Sequence, residues 1–449
     1  MRHYEMDPVQ EEIHPTKQAI LQVAIQELNE QGQGGFRISH VIEQSNSSFS
    51  SLYHHFGSRE GLLREANAER FVWSAEANRK NLAPFAEAAL QCTTTEEVLD
   101  LGAMLILQIA HHPFVRQSSR QRIEVLGFAL TDPELLDIVT PREKESFDFL
   151  SSIISGLQRR GLIRQDLNIE SYVAWLTGMH AGRLLMEIDP TFSPAASTWD
   201  KCAILATLQP LTLDHEPLEW SPSWESPAPE LPRLFVPSPA EGPRKVSDHP
   251  TAKALIKNTI EILETEGEEA VRLPRVLEGT GTSVTSIYHF FGNREGLLVA
   301  ANAARFIQRS HQVALDFTAT AKAAKTANDF LAFLKLNLAV NSQNEAFIKW
   351  RWNRVEVLGT GLHRPELLTS IVAYQRKIID QFASIIKDAQ QQGFVREDID
   401  PAVSSIWYQG MTFGRILTEI QPELNQNEEW LDLAIEGTEA VVRAPDQTT

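Results

Sequence analysis

Apolar residues in this chain recur three and four apart. Leu21, Ala24, Ile25 and Leu28 form one such stripe, closed by Gly32; Ile256, Ile260, Leu263 and Gly267 form another. This spacing predicts amphipathic helices ending at a glycine that accepts the left-handed backbone of a C-cap. Thr140-Pro141-Arg142-Glu143 predicts a helix start, with a capping hydroxyl, a proline in the first turn and a glutamate three residues on. Asp400-Pro401 predicts another. No stretch of five or more residues alternates apolar and polar between turn signals, so the pattern predicts an all-α protein.

Two places carry shorter elements. Ile38, Val41 and Ile42 give a brief apolar face, Ser45-Asn46-Ser47 breaks it, and Ser48 to His55 makes a second short helix. Further on, Thr280-Gly281-Thr282 is the break and Ser283 to His289 the second helix. Two short helices joined by a tight turn holding Asn or Gly are the helix-turn-helix pattern. Its second helix presents its N-terminal residues to base edges in the major groove.

The two places belong to one duplicated block. Residues 15–71 return 235 positions later, as 250–306, without a gap and with more than two-fifths of positions identical. Beyond the blocks the repeat continues at an offset of 232. Ile123-Glu124-Val125-Leu126-Gly127 matches Val355-Glu356-Val357-Leu358-Gly359, and Pro133-Glu134-Leu135-Leu136 matches Pro365-Glu366-Leu367-Leu368. Gly182-Arg183 and Glu187-Ile188 match Gly414-Arg415 and Glu419-Ile420. Similarity is dense in the blocks and sparse after them. A chain with two copies of one module can be its own dimer. Residues 214–250 hold nine of the 23 prolines and read as an extended linker, which Trp220 and Trp224 can pin to a surface. The expected order is a tail (1–14), a first head (15–71), a first effector and dimerisation domain (72–213), the linker (214–249), a second head (250–306), a second effector domain (307–443) and a tail (444–449).

Composition narrows the class. The 449 residues suffice for two domains with real cores, and 43% are hydrophobic. No apolar run follows the charges of the N-terminus, and none reaches the roughly 18 residues of a membrane span, so a cytoplasmic protein is expected. Cys92 and Cys202 fall at non-corresponding positions and read as separate buried thiols. The net charge of −18 is unusual for a nucleic-acid binder. Each block sums to only about −1, which leaves most of the acidity elsewhere.

Both blocks resemble the DNA-binding domain of TetR-family bacterial repressors. The resemblance rests on Tyr53-His54-His55-Phe56-Gly57-Ser58-Arg59 and Tyr288-His289-Phe290-Phe291-Gly292-Asn293-Arg294, each followed by a Leu-rich helix. It implies a tandem protein: two units in one chain, each with a three-helix DNA-binding head and a helical ligand-binding and dimerisation domain, paired internally as a pseudo-dimer. By the same resemblance Tyr53 and Tyr288 take the phosphate-contacting position, and Arg59 and Arg294 the basic position beginning the next helix. Ser58 and Asn293 would cap that helix, and Thr16 and Thr251 the first. Gly161-Leu162-Ile163-Arg164 and Gly393-Phe394-Val395-Arg396 look like the turn between two dimerising helices, about 143–160 with 170–188 and 375–392 with 402–420.

The candidate DNA-binding residues are thus Thr16, Arg37, Ser48, Phe49, Ser50, Ser51, Tyr53, His54 and Arg59 in the first head. In the second they are Thr251, Arg272, Ser283, Val284, Thr285, Ser286, Tyr288, His289 and Arg294. Pocket candidates for a small, mostly apolar effector are Trp175, Met179 and His180, and Trp407, Tyr408 and Met411, with core packing an equal reading for each. Arg122 with Glu124, and Arg354 with Glu356, read as structural ion pairs.

No glycine-rich phosphate loop, nucleophile elbow or metal-spaced His/Cys/carboxylate set occurs, so no enzyme, cofactor or metal is expected. The function expected is a DNA-binding, ligand-responsive transcriptional repressor reading an asymmetric operator. The alternative is a ligand-binding or protein-interaction module whose helix-turn-helix units no longer bind DNA. It draws on the absence of Lys and Arg between Ser47 and His55 and between Thr282 and Phe290.

Overall fold

The helical periodicities become helices throughout a computed structural model that describes residues 14–186, 196–225, 248–361, 364–420 and 429–443. The Glu187-Ile188 match, most of the proline-rich linker and nearly all of both tails lie outside these residues. No strand occurs among the described residues. The chain divides into two compact units, Met1–Arg70 and Phe71–Thr449.

The first unit holds α1 (Pro15–Gly35), α2 (Ile38–Gln44), α3 (Phe49–Phe56) and the start of α4 (Arg59–Gln91). Helix α1 kinks at Gly32, whose φ of +63° only glycine adopts freely. Ile20, Ala24, Leu28, Val41, Leu52, Phe56 and Leu62 close its core.

The second unit continues α4 and adds α5 (Thr95–His111), α6 (Pro113–Ala129), α7 (Pro133–Arg159), α8 (Ile169–Met186) and α9 (Ala196–Leu208). The second copy follows with α10 (Pro250–Glu266), α11 (Leu273–Val276), α12 (Val284–Phe291) and α13 (Arg294–Lys322). It ends with α14 (Ala327–Gln343), α15 (Glu345–Gly361), α16 (Pro365–Gln391), α17 (Pro401–Gly414), α18 (Ile416–Glu419) and α19 (Glu429–Val442). No single helix among the described residues is long and apolar enough to cross a membrane.

One helix start moves. α7 begins at Pro133 under an Asp132 cap, whose carboxylate accepts from the Leu135 amide at 3.1 Å. Thr140-Pro141 therefore lies inside α7, contrary to the expected boundary. The Asp132-Pro133 start has the same cap-and-proline grammar and comes eight residues earlier. Asp400 does cap α17, accepting from Ala402 and Val403 amides at 2.8 and 3.0 Å.

Within the second unit, first-copy helices pack on their own counterparts: α6 on α15, α8 on α17 and α9 on α19. The tightest crossing is α8 on α17. A Cβ added to Gly178 would lie 3.1 Å from the Gly414 carbonyl oxygen, and one on Gly410 would lie 3.0 Å from that of Gly182. Cβ atoms on Gly182 and Gly414 would overlap the facing carbonyls outright. At an offset of 232, Gly178 corresponds to Gly410 and Gly182 to Gly414. The contact is therefore reciprocal, as in an interface with two-fold symmetry. α7 and α16 do not form this crossing, contrary to the bundle expected from 143–160 and 375–392; each packs along α8 or α17 of its own copy. Small residues decide the matter, because only a bare backbone permits so close an approach.

Large side chains surround the crossing. Trp175 and Trp407 are fully buried, and the Trp407 indole donates to Met179 Sδ at 3.4 Å. Trp175 meets Trp430 edge to face at 5.7 Å. Full burial of each large apolar side chain contributes on the order of 1.5–3 kcal/mol. At the rim Lys201 donates to Asp398 at 2.6 Å and Arg164 to Glu436 at 3.0 Å, joining the copies by charge. Trp224 is buried, and its indole donates to Asp100 at 2.7 Å, fastening the start of the linker to α5.

Candidate DNA-reading heads and effector cavities

Each head places its short second helix by burying one side of it. In α3, Leu52 and Phe56, four apart, face the core, which leaves Phe49 51% and Tyr53 50% exposed. In α12, Ile287 and Phe291 are buried while Val284 and Tyr288 stay 38% and 54% exposed. Position for position at an offset of 235, the core of one head is the core of the other: Leu28 and Leu263, Val41 and Val276, Leu62 and Leu297. The tight turns also correspond. Asn46 adopts φ +49° and Gly281 φ +64°, the left-handed backbone these two residue types tolerate.

The exposed faces differ between heads. Ser48, Phe49, Ser50, Tyr53 and His54 are open in the first, with Ser51 half-buried. Ser283, Val284, Thr285, Tyr288 and His289 are open in the second, with Ser286 half-buried. Ser48 caps α3, accepting from the Ser51 amide at 3.1 Å, whereas Ser283 makes no such bond and Thr282 donates instead to Ser286 at 2.5 Å. Arg37 and Arg272 stand exposed at the starts of α2 and α11.

Two sets of candidates sit otherwise than expected. Thr16 and Thr251 do not cap the first helices. His14 and His249 do, their Nδ1 atoms accepting from the Thr16 and Thr251 amides at 3.2 Å each, because the proline between them takes the first helical position. Arg59 and Arg294 are turned inward. Arg294 donates to the Val271 and Glu268 carbonyls at 2.7 and 2.8 Å, and Arg59 lies 5.6 Å over the Phe36 ring. Both therefore hold the loop ahead of the helix-turn-helix. Ser58 and Asn293 cap the next helices, accepting from Gly61 and Gly296 amides at 3.0 and 2.8 Å.

At the base of α3, the His55 ring stands 5.0 Å from both His14 and His54. Desolvation and then these neighbouring rings hold His55 below the usual histidine value. In the second head Phe290 takes the place of His55, against His249 and His289.

Residues 20–66 match the family model for bacterial regulatory proteins, tetR family. The first head thus matches the DNA-binding domain of that family. The chain is similar to the HTH-type transcriptional regulator UidR of Escherichia coli K12, 24% identical over 174 residues that make up 39% of this chain and 83% of UidR. UidR of Shigella flexneri matches to the same extent. Among solved structures, Salmonella enterica GusR overlaps 45% of this chain and all of its own, at 17% identity and a TM-score of 0.35. A TetR-family transcriptional regulator from Rhodococcus sp. overlaps 38% of this chain and 86% of its own, at 19% identity and a TM-score of 0.27.

The chain has a cavity of about 100 Å³ in its first copy, between α4, α5, α6, α7 and α8. Leu82, Phe85, Leu105 and Ile109 supply apolar wall, and His180, Asn81 and Arg122 supply polar groups. His180 Nε2 and Asn81 Nδ2 are buried there without a hydrogen-bond partner among the described residues. Burial first, and Arg183 second, push the His180 imidazole down to about 4, against an opposing pull from Asp200. It is therefore neutral near pH 7. A smaller cavity of about 60 Å³ occupies the corresponding place in the second copy and is lined by Tyr408, Asn337 and Gln381 among others.

Of the pocket candidates, His180 lines the first cavity and Tyr408 the second. Trp175, Met179, Trp407 and Met411 line neither; they are buried around the α8–α17 crossing. The expected ion pairs are also redistributed. Arg122 pairs with Glu143 through Nε at 2.8 Å and a second bond, Arg354 donates to Gln375 at 2.7 Å, and Glu356 pairs with Arg305 at 2.9 Å. Leu82, Phe85 and Asn81 escaped the sequence reading because a wall drawn from five helices has no linear spacing. Among the described residues, no group of three His, Cys, Asp or Glu is placed to hold a metal ion.

Proposed function

We propose that the regulator is a ligand-responsive repressor that works as an internal pseudo-dimer and reads an asymmetric operator with two unlike heads. The observation that carries this reading is the reciprocal α8–α17 contact made within one chain, Gly178 to Gly414 and Gly182 to Gly410. A linker between the units raises the local concentration of each partner to roughly millimolar, which favours pairing inside the chain over pairing between chains.

In this reading Phe49, Ser50 and their counterparts Val284 and Thr285 meet base edges, while Tyr53, Tyr288, Arg37 and Arg272 meet phosphates. Phe49 suits thymine methyls, and Ser or Thr hydroxyls serve several bases. Phosphate positioning is then alike in both heads and base reading is not. A small, mostly apolar effector in the first cavity releases DNA by altering the separation of the heads. Half-sites lie roughly 34–36 Å apart, so a splay of a few ångströms prevents both heads from engaging at once. The effector must favour the splayed state by about 1–3 kcal/mol.

The alternative, a module that no longer binds DNA, draws on recognition helices without Lys or Arg and on the chain's charge of −18. Titration of DNA upstream of the regulator's own gene, at several salt concentrations, separates the two. The repressor reading expects one saturable site whose affinity falls with salt; no preference over unrelated DNA supports the alternative.

A further inference from the structure

The two copies treat the same internal space in opposite ways. At an offset of 232, Leu150 corresponds to Phe382, Leu176 to Tyr408, Ala181 to Phe413 and Ser118 to Trp350. At these four places the second copy carries an aromatic ring where the first has a smaller side chain, while Phe149 and His180 of the first cavity become Gln381 and Thr412 in the second. Phe382 and Tyr408 stack at 5.2 Å and 20°, and the Tyr408 hydroxyl donates to Asn337 at 2.9 Å, so these rings are pinned.

A second substitution accompanies the filling. In the first copy Arg122 is neutralised by Glu143, which is fully buried. In the second copy the carboxylate is replaced by Gln375, and Arg354 lies against rings instead: 3.8 Å from Phe413, 5.0 Å from Phe306 and 5.6 Å from Trp350. A guanidinium over aromatic faces gains from their quadrupoles, more so away from water. The rings that a ligand would need are thus engaged by the chain's own cation. The remaining 60 Å³ has Asn337, Asn341, Gln381 and Gln409 among its lining residues, but rings and aliphatic chains supply most of its wall, and it is the smaller of the two spaces. The first cavity is the roomier, at about 100 Å³, and carries two polar atoms without a partner among the described residues, His180 Nε2 and Asn81 Nδ2.

We propose that the regulator carries one effector site per chain, the first-copy cavity. Its second-copy counterpart is closed to the same molecule by Tyr408, Phe413 and Trp350, with Arg354 over the last two. The site takes a compact, largely apolar molecule with one or two hydrogen-bonding groups. This deepens the ligand-responsive reading above and rests on it, but its test needs no DNA. Titration calorimetry with 2-naphthol, a neutral bicyclic probe with one hydroxyl, counts sites directly. One probe per chain is expected. Ala181→Phe or Leu176→Tyr, which copy the second-copy residues into the first, should weaken binding at least tenfold while circular dichroism and the melting temperature stay near native. Phe413→Ala should raise the count to two. Two sites in the native chain, no binding at all, or folded Ala181→Phe and Leu176→Tyr variants that bind as the native does would each overturn the proposal. Loss of operator binding with a single probe site intact would count instead against the repressor reading alone.

Discussion

Gly182 and Gly410 meet backbone to backbone: any Cβ on Gly182 overlaps the Gly410 carbonyl oxygen. The obstacle is main chain on a helix, which cannot turn aside as a flexible side chain would. Gly182→Ala must therefore separate α8 from α17, at a cost of about 1–3 kcal/mol or more from overpacking. Gly156→Ala is the control, since its Cβ would meet only the end of Arg159 at 3.9 Å. There, in a helix interior, alanine should be neutral or stabilising by up to about 1 kcal/mol. Urea unfolding of both variants checks the pair, and a Gly182→Ala chain as stable as native would remove the close crossing from the account.

Arg364 joins the second head to the start of α16. It is buried, donates to Glu268 at 2.7 Å and pairs with Glu295 at 2.6 Å. Arg364→Gln removes the cation bonded to Glu268, leaving only the electrostatic influence of Arg294 and Arg305, and should cost about 1–3 kcal/mol. The pair also sets a pH dependence. Burial alone would raise Glu268, but Arg364 holds its carboxyl below the ordinary value of 4.5. A depressed folded pKa contributes stability that is complete above the ordinary value and lost as pH falls through the folded one. Urea midpoints should thus fall below about pH 4.5 in the native chain and fall less steeply there in the double variant Arg364→Gln, Glu268→Gln.

The helices and the heads were legible in the sequence because each depends on local grammar. Leu52 and Phe56 four apart, Asn46 or Gly281 at a left-handed turn, and Asp400 before Pro401 all act within a few residues. Contacts between distant segments were not legible. Nothing near Arg122 in the chain points to Glu143 rather than Glu124. Trp175 and Met179 occupy the same kind of helix face as His180, yet a turn of the helix sends them to the α8–α17 crossing and His180 to the cavity. Arg294 shows a third limit, since the same guanidinium can serve a phosphate or the Val271 carbonyl and only the fold around it decides.

Base reading should be unequal between the heads. Phe49 and Val284 are the exposed counterparts that differ most in size. Phe49→Val is expected to shift base preference in one half-site, by about 1–3 kcal/mol per lost contact, and leave the other unchanged. Selection from random duplexes with the native and variant chains reads this out; a perfect inverted repeat from the native chain would contradict it.

Phosphate contacts should be equal. Tyr53→Phe and Tyr288→Phe each remove one exposed hydroxyl at matching positions. Each should weaken operator binding by about 0.5–1.5 kcal/mol, the net worth of a hydrogen bond, whatever the bases present. Competition against a panel of operator variants would expose any base-dependent effect, which the account does not allow.

The central claim is that one chain supplies both heads. Native mass spectrometry of the protein on a single operator duplex tests it most directly. The account predicts one 50.4 kDa chain per duplex, unchanged as protein concentration rises through the binding range. Two chains per duplex, each engaging one head, would contradict it.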